Sequence, residues 1–232
     1  TTYGIENPAH LMAQNIRQTM EGVYYDLVYQ DEKYPVFYGV PGRFSVYNSL
    51  SALAVGITLG FPIDSLINAL KKVKGVPGRF EPVENDKGFT VLVDYAHKPD
   101  SLKNVLLTIK EFCKGNIITV FGCGGDRDRE KRPIMGKIAT ELSDYTIITS
   151  DNPRSEDPEA IIRQIESGVV GRNYQKITDR RKAIQQALLM AKKGDTVLIA
   201  GKGHETYQII GDKKLHFDDK EVVKEFLSGG GL

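Results

Sequence analysis

At 232 residues the chain has room for one large domain or one and a half ordinary ones. It is 41% hydrophobic and 26% charged with a formal net charge of +1, the composition of a soluble globular protein. So near-neutral a balance gives no electrostatic case for nucleic acid or an anionic membrane surface. The two cysteines, Cys113 at the end of an amphipathic stretch and Cys123 in a glycine loop, do not make a disulfide framework, so a reducing cytoplasm is expected. No apolar run is long enough to span a bilayer and no secretory signal opens the chain. It starts without Met, inside what reads as structure, as expected for a fragment.

Along the first third, Pro8 to Ile16 reads as a short helix and Gly22 to Tyr29 as a strand. A second strand is predicted from Tyr34 to Val40, ending at Pro41-Gly42. Ser45 to Leu59 carries small and apolar residues at helical spacing (Val46, Leu50, Leu53, Ala54, Ile57), which predicts a packed helix. Gly60-Phe61-Pro62 stops it, and Asp64 to Val73 reads as another amphipathic helix. Val-Pro-Gly-Arg-Phe occurs at both 40–44 and 76–80, but the flanking residues differ, so this is not a solenoid repeat. Gly and Pro cluster after a helix at Gly75 to Gly78, which places a domain boundary there.

From Phe89 the pattern becomes regular. Apolar strands at Phe89–Asp94, Asn116–Phe121, Tyr145–Thr149 and Thr196–Ala200 alternate with helices from Pro99, from Pro133 to Leu142, from Pro158 to Glu166 and from Asp179 to Lys192. This alternation predicts a mostly parallel sheet with helices on both faces, a Rossmann-like α/β domain. The tail differs: Tyr207–Ile210 and Lys214–Phe217 around Gly211-Asp212 read as a hairpin. A last helix, capped by Asp218, runs to Leu227, and the glycines from 229 to 231 are expected to fray.

Four of these strands end in loops with unusual residues. Asp151-Asn152-Pro153-Arg154 is the most telling, because Pro153 lacks an N–H and biases Asn152 away from helical angles. The next helix has its own start at Asp157-Pro158, so Asn152 and Arg154 stay in a loop at the carboxyl end of a strand. In open α/β sheets ligands bind at that edge. An Arg fork beside an Asn amide suits a small molecule carrying both carboxylate and amino groups. The other loops are Asp94 to Asp100, Gly122 to Arg129 and Gly201 to Glu205. Any one of them is ordinary turn chemistry, but four at one edge are better explained by a site. Gly122-x-Gly124 is followed by Arg127 where a dinucleotide fingerprint needs its third Gly, and no Walker A sequence is present. His97 and His204 lack partners at zinc-ligand spacing, so no metal-ligating residue is assigned. Cys123 reads as small-residue packing, since no His-Asp relay is apparent.

Taken together, the blocks Asp-Tyr-Ala-His-x-Pro-Asp, Gly-Cys-Gly-Gly-Asp-Arg-Asp, Asp-Asn-Pro-Arg and Gly-Lys-Gly-His-Glu, in this order, resemble the Mur ligase family over essentially the whole chain. The resemblance is strongest to members that add a diamino acid to a peptidoglycan precursor. It implies that residues 1–75 are the last part of the family's central ATP-binding domain, without its P-loop, and that residues 76–232 are its C-terminal Rossmann-like domain. It further implies ATP-dependent ligation of meso-diaminopimelate to UDP-MurNAc-L-Ala-D-Glu through an acyl phosphate, with ATP and Mg2+ held mainly by parts this chain lacks. A cytoplasmic, monomeric protein is expected, bound to neither nucleic acid nor membrane. Carried over position by position, Arg127, Asp151, Asn152, Pro153, Arg154, Gly201 and Glu205 are expected to bind meso-diaminopimelate. Asn48, Arg79, Asp94 and His97 are expected to lie along ATP. The catalytic residues are not assigned within this chain, which is expected to be inactive alone. Alternatives are the same ligation with L-lysine, a polyglutamate-adding relative, a non-catalytic Rossmann-fold binding module and, least supported, a dehydrogenase.

Overall fold

The computed structural model describes residues 1–229, so the expected fraying at Gly230 and Gly231 lies outside the described residues. The chain divides into two compact units, Thr1–Gly75 and Val76–Leu232.

In the first unit, strands β1 (Tyr3–Gly4), β2 (Leu11–Thr19), β3 (Gly22–Tyr29) and β4 (Glu32–Tyr38) form a sheet in that order. β2, β3 and β4 run antiparallel, and β1 lies parallel to β2. Helices α1 (Arg43–Thr58) and α2 (Ile63–Leu70) pack on it. Leu11, Ala13, Val23, Tyr25 and Leu27 of the sheet meet Val46, Leu50 and Leu53 of α1 in one core. The helix expected at Pro8–Ile16 is therefore wrong: most of it is β2. Leu, Met, Ala and Gln are good helix formers, but pairing with β3 and burial of Leu11 and Ala13 at strand spacing override that local preference. The register shifts between Gln14 and Arg17, where Asn15 adopts φ 53° and its amide bonds the Asp26 carboxylate at 2.7 Å.

The second unit holds β5 (Glu81–Pro82), β6 (Thr90–Asp94), α3 (Pro99–Lys110), β7 (Ile117–Phe121), α4 (Lys131–Leu142), β8 (Tyr145–Ile148) and α5 (Pro158–Glu166). It continues with β9 (Tyr174–Lys176), α6 (Arg180–Met190), β10 (Thr196–Ala200), the hairpin β11 (Tyr207–Ile210) and β12 (Lys213–His216), and α7 (Asp219–Ser228). The sheet order is β5-β6-β10-β7-β8-β9, parallel throughout except for β5. β7 and β10 are buried at every residue, which explains their unbroken apolar sequences. Val91, Val93, Val120, Val197 and Ile199 face α6 and α7, while the alternating residues face the layer of α3, α4 and α5. The helix starts are chemically marked: Asp157, Asp179 and Asp218 each accept a backbone N–H of the first turn.

Candidate functional site

β10 comes last in the sheet but sits between β6 and β7. The chain leaving β6, β7 and β8 enters the α3–α5 layer, whereas the chain leaving β10 enters the hairpin and α7 on the other face. Such a switch opens a crevice at the carboxyl ends of the strands. The loops after β6, β7, β8 and β10 line a cleft there of about 1240 Å³, walled on one side by Tyr207.

Asp151–Arg154 is fastened from below by β11. Gln208 Nε2 donates to the Asp151 carbonyl at 2.7 Å, and Ile209 N donates to Asn152 Oδ1 at 3.0 Å. Arg154 N donates to Ile209 O at 3.1 Å, and the Arg154 carbonyl accepts Gly211 N at 2.7 Å. These bonds hold Arg154 at φ 52°, a left-handed conformation that a non-glycine residue keeps only when its surroundings impose it. The Arg154 guanidinium anchors Nη1 on the Gly125 carbonyl at 2.8 Å. A Cβ on Gly124 would come within 2.8 Å of that nitrogen, so glycine there makes room for the fork. Arg154 Nε and Nη2 have no protein partner among the described residues and are available to the cleft. Arg127, exposed at the mouth, rests Nη1 on the Asp126 carbonyl at 2.9 Å.

Glu205 lines the same cleft. Its Oε2 accepts Asn152 Nδ2 at 2.9 Å and Lys202 Nζ at 3.1 Å; its Oε1 has no protein partner among the described residues. Lys202 is fully buried, donates also to Asn152 Oδ1 at 3.2 Å, and lies 5.4 Å from the Tyr207 ring centre. Asn152 therefore lines the cleft with its side-chain oxygen on Lys202 and Ile209 and one amide N–H on Glu205. Gly201, at φ 117°, lets the chain pass Asp151, whose Oδ2 would lie 2.8 Å from an added Cβ.

A second set of charges ties the glycine loop to the rest. The buried Arg132 pairs in parallel with Glu156, Nη1 to Oε2 and Nη2 to Oε1, both at 2.9 Å, and reaches Gln164 and the Gly124 carbonyl. Glu156 Oε1 also accepts Asp126 N at 2.7 Å. Hydrogen bonds from Arg132 and from that amide hold the Glu156 carboxyl at about 2, far below its ordinary 4.5. Ser155 donates its hydroxyl and amide to Asp126 and pulls that carboxyl down as well. On the opposite face Arg180 and Asp219 form a fully buried bidentate pair at 2.7–2.8 Å, with Arg180 also on the Ala200 carbonyl at the end of β10.

Of the positions expected to bind the amino acid, the cleft gathers Arg127, Asp151, Asn152, Arg154, Gly201 and Glu205. Pro153 does not line it; its carbonyl accepts Glu156 N at 3.0 Å and packs against Gly125. Of the nucleotide set only His97 lines it, with its ring 4.6 Å from that of Tyr95. Arg79 is exposed, its guanidinium 5.8 Å from the Tyr95 ring centre, and Asn48 is exposed on α1 in the first unit. Asp94 is buried, with one oxygen on Phe80 N and the other on Ala96 N, both at 2.7 Å; desolvation raises its carboxyl above the ordinary range despite those bonds. It shapes the turn rather than facing the cleft. Sequence reasoning assigned no role to Lys202, Gln208, Arg132 or Glu156. Lys202 belongs to the Gly-Lys-Gly-His-Glu sequence, but its burial depends on packing that spacing does not reveal. Among the described residues no three His, Cys, Asp or Glu side chains gather as a metal-binding group, and no helix is long and apolar enough to cross a membrane.

A doubly wound sheet whose cleft at the switch point is lined by Arg127, Arg154 and Glu205 defines an α/β protein with its charged groups gathered at the ligand-binding edge of the fold. The chain belongs to the Mur ligase family: residues 78–203 match its glutamate ligase domain and residues 1–56 its middle domain. It is 54% identical over 229 residues to the UDP-N-acetylmuramoyl-L-alanyl-D-glutamate–2,6-diaminopimelate ligase of Clostridioides difficile, covering 98% of this chain and 47% of the relative. The Bacillus cereus protein of the same name is 51% identical over 228 residues, with 98% and 46% covered. A solved structure of a ligase of that name superposes with a TM-score of 0.71 at 38% identity, over 99% of this chain and 48% of that one. The Thermotoga maritima MurF ligase, solved in complex with ADP, shares the fold with a TM-score of 0.67 at 20% identity, over 98% and 48%. The chain thus spans about half the length of the curated relatives it matches.

Proposed function

We propose that this chain supplies the amino-acid site of an ATP-dependent ligase that joins meso-diaminopimelate to UDP-MurNAc-L-Ala-D-Glu. One observation carries the reading: the free edge of the Arg154 fork and the free oxygen of Glu205 line one cleft, a cation and an anion matched to one α-amino acid end. Arg154, aided by Arg127, takes the distal carboxylate, and Glu205 takes the distal ammonium. This leaves the other amino group to react. In the reaction the acceptor carboxylate attacks the γ-phosphate to give an acyl phosphate, and the free amine of diaminopimelate displaces phosphate, forming the amide and releasing a proton. The names carried by relatives at 51–54% identity support this substrate pair.

The residues near Tyr95 fit a nucleotide in part. Arg79 and His97 offer an accessible cation and an imidazole, and Asp94 acts by fixing the Tyr95–His97 turn. Magnesium, when bound with ATP, supplies charge neutralisation at the phosphates; no residue of this chain is assigned to hold it. With no Gly-x-x-x-x-Gly-Lys-Ser/Thr sequence present, this chain alone binds the amino acid but does not ligate it.

Calorimetric titration of this chain with meso-diaminopimelate and L-lysine tests the reading. Lysine lacks the distal carboxylate, so it forfeits two charge-assisted hydrogen bonds worth together about 3 kcal/mol, roughly 150-fold in affinity. Arg154→Ala should abolish that preference. Equal binding of the two ligands by the unmodified chain, or undiminished preference in the variant, would overturn the assignment.

A further inference from the structure

The buried ammonium of Lys202 is the least expected group in the cleft wall. It is fully removed from solvent, and its charge is met by Glu205 Oε2 and by Asn152 Oδ1, at 3.1 and 3.2 Å. Burying a lysine is costly unless it is paired, so this arrangement must be supported by what it holds. What it holds is one oxygen of Glu205. Lys202 shares that oxygen with Asn152 Nδ2, so both anchors of the carboxylate meet Oε2 and two donors together pin it. Lys202 and Asn152 also hold each other, and Asn152 is tied in turn to Ile209 of β11.

We infer that Lys202 is a positioning residue for recognition of the substrate's distal ammonium. By fixing Oε2 from inside the wall, it leaves Oε1 as the single oxygen presented to the cleft. The short turn from Lys202 to Glu205, closed by Glu205 N on the Lys202 carbonyl at 2.9 Å, sets both side chains from one rigid segment. Lys202 does not touch the ligand. Its own charge also offsets that of Glu205, so recognition of an ammonium rests on the direction of Oε1 more than on net charge. The inference deepens the reading above and rests on it, since it takes Glu205 as the group that meets the ammonium.

The test compares meso-diaminopimelate with 2-aminopimelate, which keeps both carboxylates but lacks one amino group. Affinities are measured for the unmodified chain, Lys202→Met, Glu205→Gln and the double variant, with thermal unfolding as the control for folding. The unmodified chain should prefer meso-diaminopimelate roughly ten- to a hundredfold, as expected for one hydrogen bond to a charged group. Lys202→Met should lose most of that preference while binding 2-aminopimelate as before. Adding the Lys202 change to Glu205→Gln should then cost little more, because the two act through one contact. Equal weakening of both ligands in Lys202→Met, or additive losses in the double variant, would reduce Lys202 to a packing role and overturn the inference. The double variant removes both charges together and so reports on this even where the single lysine variant unfolds. An unmodified chain that binds both ligands without preference would instead sink the site assignment itself.

Discussion

The Arg132–Glu156 pair allows a prediction that reaches the site through stability. Arg132 is completely buried and Glu156 nearly so, at 0% and 12% side-chain exposure, and the pair joins the glycine loop to the turn after Arg154. Folding lowers the Glu156 carboxyl from 4.5 to about 2. A depressed acid contributes stability above its unfolded value and loses it as pH falls towards the folded one. At about 1.4 kcal/mol per pH unit, the fall from 4.5 to about 2 sets an upper bound of about 3.5 kcal/mol, which solvent screening reduces. Glu156→Gln removes this contribution and turns an N–H toward the guanidinium. Urea unfolding from about pH 7 down to about pH 2.5 should therefore show the variant less stable at neutral pH by up to about 3 kcal/mol. The two curves should draw together toward the acid end, as Glu156 of the unfolded chain becomes protonated and the pH approaches the lowered native value. A variant whose stability falls as steeply as that of the unmodified chain between about pH 5 and pH 2.5 would refute the reasoning, because Glu156 would then not be the group that titrates.

Two further outcomes follow from close contacts. A Cβ on Gly125 would lie 1.8 Å from the Pro153 carbonyl oxygen, so Gly125→Ala should destabilise the second unit by about 1–3 kcal/mol and displace Arg154; unchanged thermal unfolding and ligand preference would contradict this. Burial pushes the Cys123 thiol up to about 12, and it is 2% exposed, so at mildly alkaline pH a maleimide should label Cys113 and spare Cys123, as read by peptide mass mapping.

The parallel strands of the second unit were legible because they are buried on both faces, and sequences such as Ile117–Phe121 and Thr196–Ala200 admit no amphipathic reading. β1, β5 and β9, at two or three residues, are too short to carry a period and went unpredicted. β2 was misread because helix formers were recruited into a sheet by pairing partners further along the chain. At the site, the loops were visible as clusters of Gly, Asp, Arg and Pro after apolar runs. The wiring beneath them was not. Asn152 was expected to meet a ligand with its amide, yet that amide also serves Glu205, Lys202 and Ile209, residues 50 to 57 positions away. Arg132 and Glu156, separated by 24 residues, likewise carry no local signature of their pairing.

The position of β10 has a consequence for how the protein comes into being. β6 and β7 are joined by α3 but do not pair; the edges they turn toward each other are both filled by β10, which follows β7 by some 75 residues. On a ribosome, the nascent second unit therefore holds an open slot in its sheet until residues 196–200 emerge, and the cleft loops have no common floor before then. β11, which fastens Asp151–Arg154, emerges later still. Ligand competence thus waits for β10 and β11, as a product of closure rather than a property of any earlier segment.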